Sequence, residues 1–416
     1  LIELLIIADD LTGAIDTGVQ LAKQNIRTRV VIQPQSNYLK LLEDNHSPVL
    51  VVNTESRHIH QKEARRRVNE IMAAATKAGI QKFYKKVDST MRGNIGAELE
   101  AFKDKINQRY LGFVPAHPKL KRFTRNGFHF ICETPLHETV FGKDPLEPIR
   151  QNYVPALLQE QTDLTITKID FSKTEKSASD DGLLVFDCES EGDLRKISGF
   201  LTEHHSINAI AGSAAMVELL PDLFQIRKER SKVHTIPSPA LLINGSLNDI
   251  SAAQVKYARD HRIPVHTISS KWLYGEEFLS DPEFDVLTDY LRTALIKSEN
   301  IILTTTDIGE TRETSVSPLS ARQYEIISKK IGSVVHAIFH EAAFSTLIVF
   351  GGDTLMGIMG ALSCKIIEPK MELLPGVALS LTEVNGRKIH IITKPGGYGD
   401  DDVIMKILDF INNMNL

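Results

Sequence analysis

Cysteine is scarce: Cys132, Cys188 and Cys364 are the only ones in 416 residues, widely spaced and without a CxxC pair. That excludes a disulfide framework and a thiolate zinc site, and fits a reducing compartment. No apolar run approaches the roughly 20 residues needed to span a bilayer. The opening Leu1-Ile2-Glu3-Leu4-Leu5-Ile6-Ile7 carries a glutamate and no basic flank. It reads as a strand and not a signal peptide, so the cytoplasm is the expected location. No charge sign dominates either, with a formal net charge of -5. This provides no footprint for nucleic acid or an anionic membrane, and Lys119-Leu120-Lys121-Arg122 reads as a solvated face. Internal repeats, low-complexity tracts and heptads are missing. So are GxGxxG and the P-loop fingerprint at the strand–helix junctions, which removes the Rossmann and P-loop readings.

What is present is a soluble-type composition, 42% hydrophobic and 24% charged, in a chain long enough for two domains. Strand and helix signals alternate through the first half: Leu4 to Ala8, Arg29 to Ile32, Val49 to Val52, Phe83 to Val87 and Tyr110 to Val114 as strands, with helices after Asp10, from His60 to Ala78 and from Gly96. Between His117 and Leu158 the pattern is irregular, with a hairpin expected around Gly127 to Cys132. Arg227 to Lys232, running into Pro237-Ser238-Pro239, reads as an interdomain connection. A second series follows, with strands Ala240 to Ile243, Ile301 to Thr304 and Leu347 to Phe350, and a long helix Ala321 to Phe339. The fold class expected is α/β: two α/β domains with mainly parallel sheets and an active-site cleft between them, divided as 1–232 and 233–416.

Ligands of open α/β sheets bind outside the carboxyl ends of strands. In the second half those ends carry Asn244-Gly245-Ser246, Gly351-Gly352-Asp353-Thr354 and Gly396-Gly397-Tyr398-Gly399. Glycine lets backbone N–H groups crowd around an anion, and helix N-termini add partial positive charge, so these point to a phosphate-bearing nucleotide. Asp353 could accept a proton, meet Mg2+, or simply cap a helix. In the first half, Asp9-Asp10-Leu11-Thr12-Gly13-Ala14 with Asp16, Thr54 to Arg57, and Lys85 to Asn94 combine acids, hydroxyls, lysines and arginines. Such groups suit a small, polyhydroxylated, negatively charged molecule, with helix capping by Asp10 and Ser89 as the plain alternative. His336 and His340 have metal-pair spacing but no HExxH, so no metal ligand is assigned. Cys132 and Cys188 have no adjacent base and are not expected to be nucleophiles.

Asp9 to Ala14 with Asp16, Lys86 to Gly93, Gly351 to Thr354, Pro375-Gly376-Val377 and Lys394 to Gly399 occur in an order that resembles the four-carbon acid sugar kinases along essentially the whole chain. The resemblance implies an N-terminal acid-sugar-binding domain and a C-terminal ATP-binding domain. It also implies transfer of the γ-phosphoryl group to the terminal hydroxyl of D-threonate, D-erythronate or a 3-oxo-tetronate, with D-threonate preferred here. Carried over, Asp9, Arg57, Lys86, Val87, Asp88, Ser89 and Arg92 contact the acid. Ser246, Gly351, Gly352, Asp353, Thr354, Gly396, Gly397, Tyr398 and Gly399 contact ATP, accompanied by Mg2+. Asp353 and Asp9 are the candidate catalytic bases; Asp353 stands where many relatives carry glutamate or another residue. A nicotinamide-dependent oxidoreductase and a non-catalytic binding module are the rival classes. No nucleic acid or membrane partner is expected, and a homo-oligomer is compatible with the sequence.

Overall fold

The computed structural model describes all residues except 1, 36, 145–147, 170–180, 204–206, 230–234, 247, 270–271, 274–278, 280, 298, 306–320, 340–343 and 414–416. The chain divides into two compact units, Leu1–Glu229 and Arg230–Leu416. The expected boundary at 232/233 and His340 lie outside the described residues. No described helix is long and apolar enough to cross a membrane.

The N-terminal unit is built on β1 (Leu4–Ala8), β2 (Thr28–Val31), β3 (Val49–Asn53), β4 (Phe83–Lys86) and β5 (Tyr110–Val114). A small antiparallel sheet follows, of β6 (Arg122–Arg125), β7 (Phe128–Ile131) and β8 (Thr134–Pro135). The unit's main sheet is completed by β9 (Ile166–Ile169), β10 (Gly182–Phe186) and β11 (Ala209–Gly212). The main sheet runs β2-β3-β1-β4-β11-β5-β10-β9, with every pair parallel. Both faces of the sheet are covered: all five residues of the apolar run β1, Leu-Leu-Ile-Ile-Ala, are buried, and so are all four of its neighbour β4, Phe-Tyr-Lys-Lys. The helix Gln61–Lys77 covers one face through Ala64, Val68, Ile71, Met72 and Ala75, the three-to-four spacing of a single buried stripe. The chain leaves β1 for β2 and β3 on one side and returns to β4 on the other. That reversal opens a crevice at the carboxyl ends of β1 and β4.

The expected hairpin forms, but it begins earlier: β6 and β7 are joined by Asn126-Gly127, both at positive φ (53° and 80°). Paired positive φ values of this kind are what a two-residue hairpin turn requires, and asparagine–glycine adopts them readily.

In the C-terminal unit, β12 (Ala240–Asn244), β13 (Val265–Thr267), β14 (Ile301–Thr304), β15 (Thr346–Phe350), β16 (Ile366–Leu374), β17 (Val377–Val384) and β18 (Arg387–Lys394) form the order β13-β14-β12-β15-β18-β17-β16. The first five are parallel, and β18, β17 and β16 form an antiparallel meander. Leu242, Ile302, Ile348, Phe350 and Ile392 pack with Ile404, Ile407 and Ile411 of the helix Val403–Asn413. Asn244, Phe350 and Lys394 stand in register at three adjacent strand ends.

Candidate functional site

Ala8 pairs with Asn53 on one side and Lys86 on the other, so the chain leaves β1, β3 and β4 side by side. The first two exits are bonded together: Thr54 N and Oγ1 both donate to Ala8 O, at 2.9 and 2.8 Å, and Ser56 N donates to Asp9 O at 2.9 Å. The same loop delivers Arg57, whose Nε meets Asp9 Oδ2 and whose Nη2 meets Asp10 Oδ1, each at 2.7 Å. Asp10 is also the N-cap of the helix Leu11–Ala22, accepting from Gly13 N at 3.1 Å. The capping alternative therefore describes Asp10 but not Asp9.

The exit from β4 is built around Asp88. It accepts from Arg92 Nε at 2.6 Å and from Thr90 Oγ1 at 2.5 Å, while Arg92 Nη1 reaches Asp144 Oδ2 at 3.2 Å. Asn94 Nδ2 donates to Ser56 O and Ile59 O, both at 2.8 Å, and ties this loop to the previous one. Burial acts to raise Asp9, but Arg57, Lys86 and Lys85 outweigh it and hold the carboxyl below its usual range. Burial is likewise overcome at Asp88 by Arg57 and Arg92. Both stay ionised at neutral pH. Beneath them, Lys85 Nζ and Glu98 Oε2 form a fully buried pair at 2.8 Å, and burial lifts Glu98 above the ordinary glutamate range.

Two polar groups in this cluster lack a hydrogen bond among the described residues. Asp9 Oδ1 is buried with no partner. Lys86, only 5% exposed, makes no hydrogen bond or ion pair. Its Nζ lies against the start of the first helix, where a Cβ at Gly13 would stand 2.5 Å from it. Its charge acts on Asp9, and with no hydrogen bond of its own among the described residues the ammonium is placed to meet an anionic ligand.

Of the residues expected here, Asp9, Arg57, Lys86, Asp88, Ser89 and Arg92 gather in this cluster. The Val87 side chain is buried, and its N–H donates to Gly212 O at 2.9 Å. Ser89 caps no helix; its Oγ accepts from Arg122 Nη1 at 2.5 Å. Arg122, read from the sequence as solvated, is brought inward by the β6–β7 hairpin, while Lys119 pairs with Glu218 at the surface. His129 Nε2 donates to Ser89 O at 2.9 Å, so its Nδ1 accepts from Thr124 Oγ1 at 3.0 Å. Burial pulls His129 down to about 4 and keeps it neutral. The Phe141 ring lies 5.1 and 5.8 Å from the guanidinium carbons of Arg92 and Arg122. Arg122, His129, Phe141, Asp144 and Glu98 were not among the expected site residues, because only the fold brings them here.

Removing Arg57 strands two carboxylates, one of them deeply buried. Arg57→Ala is expected to cost about 3 kcal/mol of stability, read as a lower urea midpoint, with part of the loss recovered in an Asp9→Asn background. An unchanged midpoint would show that the pairing contributes nothing.

In the C-terminal unit the three polar junctions interlock. A Cβ at Gly245 would stand 1.9 Å from Thr354 Oγ1, and one at Gly396 would stand 2.1 Å from Ser246 Oγ. Gly351 is the N-cap of the helix Gly352–Ala361 at φ 111°, a conformation that favours glycine. Asp353 is therefore not the cap; it is exposed in the helix's first turn. The loop after β18 has its carbonyls taken by side chains. Ser251 Oγ donates to Gly396 O at 2.6 Å, and Gln254 Nε2 lies 3.0, 2.9 and 3.1 Å from the oxygens of Tyr398, Gly399 and Asp400. Among the described residues, the N–H groups of Gly396, Gly397, Tyr398 and Gly399 have no acceptor. With the first N–H groups of the Gly352–Ala361 helix they make a donor-rich surface suited to phosphate oxygens.

Together the clusters define a two-unit α/β protein. One unit is equipped for a hydroxylated anion, and the other for phosphate-type anions. The chain belongs to the four-carbon acid sugar kinase family. Residues 4–220 match the sugar-binding N-terminal domain, and residues 241–404 match the nucleotide-binding C-terminal domain. The chain is similar to D-threonate kinase of Salmonella typhimurium, 29% identical with 99% of each chain covered. It is 26% identical to D-erythronate kinase of Heliobacterium modesticaldum, covering 98% of this chain and 96% of that one. It is 23% identical to 3-oxo-tetronate kinase of Burkholderia multivorans, covering 97% and 96%. A solved Salmonella typhimurium protein shares the fold, with a TM-score of 0.80 at 18% identity over 98% of this chain and 99% of the other.

Proposed function

We propose that the chain is an ATP-dependent kinase that phosphorylates the 4-hydroxyl of a four-carbon sugar acid, D-threonate in the first instance. The observation that carries this reading is the unsatisfied Asp9 Oδ1 beside a Lys86 ammonium that makes no hydrogen bond among the described residues. Asp9 Oδ1 can accept from a substrate hydroxyl, and Lys86 can neutralise a substrate carboxylate. Arg57 orients Asp9, and the Asp88–Arg92–Asp144 chain orders the adjoining loop. The N-terminal unit thus presents a fixed acceptor and a fixed cation to a small acid. The D-threonate assignment accords with the relative at 29% identity.

Phosphoryl transfer through a loose transition state needs alignment and charge stabilisation more than a strong base. The N–H groups of Gly396 to Gly399 and the Gly352–Ala361 N-terminus would bind the triphosphate oxygens. Asp9, kept ionised by Arg57, would hydrogen-bond the 4-hydroxyl and take its proton as the phosphorus–oxygen bond to the sugar forms and that to ADP breaks. Mg2+ would supply further neutralisation of the phosphate charge. Among the described residues no group of three His, Cys, Asp or Glu could hold a metal. Asp353, exposed in the first turn of the helix at the cradle, is the carboxylate that would help hold the ion. The test is ADP release measured with D-threonate, L-threonate, D-erythronate and 3-oxo-tetronates. Release with a four-carbon acid is expected, fastest with D-threonate. Ligand-induced stabilisation without ADP release from any of them would turn the reading to a binding module.

A further inference from the structure

Lys394 ends β18 and turns under the glycine loop that follows it. Only 2% exposed, its ammonium donates to the carbonyls of Pro395, Gly396 and Tyr398 at 2.8, 3.2 and 2.9 Å, and lies 4.4 Å from the Phe350 ring centroid. Ser251 and Gln254 hold carbonyls of the same loop from the helix Asp249–Asp260. Among the described residues Lys394 has no carboxylate partner. The loop therefore has a buried, uncompensated cation bonded to its carbonyls and a row of uncommitted N–H groups. We propose that Lys394 is a positioning residue for this anion cradle: it pins the carbonyls away from the ligand, and its charge is completed by phosphate bound to the N–H groups. The proposal rests on the nucleotide reading of this unit.

Burial alone pulls the Lys394 ammonium down to about 8. The charged or titratable groups on the elements around it are Asp353, Asp249, Lys256, His390, Tyr398, Asp400 and Asp402, and none shares in that shift. Asp400 and Asp402 pair with Lys406, and Lys256 pairs with Asp260. A bound polyphosphate favours the protonated amine and so raises its pKa. Binding near pH 8 must then take up a proton, and affinity must be full below pH 8 and decline above it.

Calorimetric titration of the whole chain with ADP, and separately with inorganic tripolyphosphate, at pH 8 in two buffers of different ionisation heat tests this. The wild type is expected to take up about half a proton with either ligand. Lys394→Met is expected to abolish the uptake and weaken both ligands by about tenfold or more. Gln254→Leu is expected to weaken both while keeping the uptake, separating carbonyl pinning from charge. Wild-type affinity and uptake in Lys394→Met would overturn the proposal. Should Lys394→Met fail to fold, absence of proton uptake by the wild type, or full affinity in Gln254→Leu, would overturn it instead. If the wild type bound neither ligand, the nucleotide reading itself would fall.

Discussion

Lys86→Met is expected to lower kcat/KM for the sugar acid by about a thousandfold, the scale of deleting one partner from a buried charge pair. The same change is expected to lower the urea midpoint of the ligand-free chain by less than Arg57→Ala does, because Arg57 and Lys85 still act on Asp9. The reason is the pairing inventory around β1 and β4. Asp9 and Asp10 share Arg57, Asp88 holds Arg92, and Glu98 holds Lys85, but Lys86 is buried with no bonded partner among the described residues. An apolar chain of similar length removes the counter-charge for the substrate carboxylate together with one of the three cations that act on Asp9. Arg57→Ala, which leaves two directly paired acids without their partner, is expected to cost more stability. A Lys86→Met protein that loses stability yet keeps its KM for the acid would show that the ammonium serves folding and not substrate.

The second large effect concerns the other unit. Gly245→Val is expected to cut kcat/KM for ATP by about a hundredfold while KM for the sugar acid stays put, as expected for loss of preorganised phosphate donors. The added Cβ would meet Thr354 Oγ1 at 1.9 Å and both Cβ and Cγ2 of Thr354 at 2.9 Å, a collision no single rotamer change relieves. The β12 loop and the helix N-terminus must separate, and the donor surface they share is lost. Separate titrations with ADP and with the acid read the effect directly. Equal weakening of both ligands would mean global damage and count against a local cradle.

The core of both units was legible because buried parallel strands are near-continuous apolar runs. Leu4 to Ala8 and Leu347 to Phe350 stand out, and the polar residues that follow each run mark the ligand end of the sheet. The strand leading into Lys394 was read in this way, but its meander partners β16 and β17 were not. β16 opens with alternating half-buried and buried residues, and Pro369 and Gly376 interrupt the run into β17. The Asn385-Gly386 turn, at φ 50° and 77°, was the meander's local signal. Arg122 was hidden for a different reason: its sequence neighbours are basic and solvated, and it meets Ser89 only because the hairpin folds back across 33 positions. Lys394 was visible as part of a motif, but its bonds to the loop carbonyls depend on how the loop turns. Of the three roles suggested for Asp353, capping fell away once Gly351 took the cap position.

The central claim is that this chain moves a phosphoryl group onto the terminal hydroxyl of a four-carbon acid. Phosphorus NMR of purified protein incubated with ATP, Mg2+ and D-threonate tests it most directly. ATP is expected to be replaced by ADP and one new phosphate monoester, coupled to the C4 methylene protons of the acid. ATP left intact with every four-carbon acid, or hydrolysed to ADP and free phosphate with no monoester formed, would contradict it.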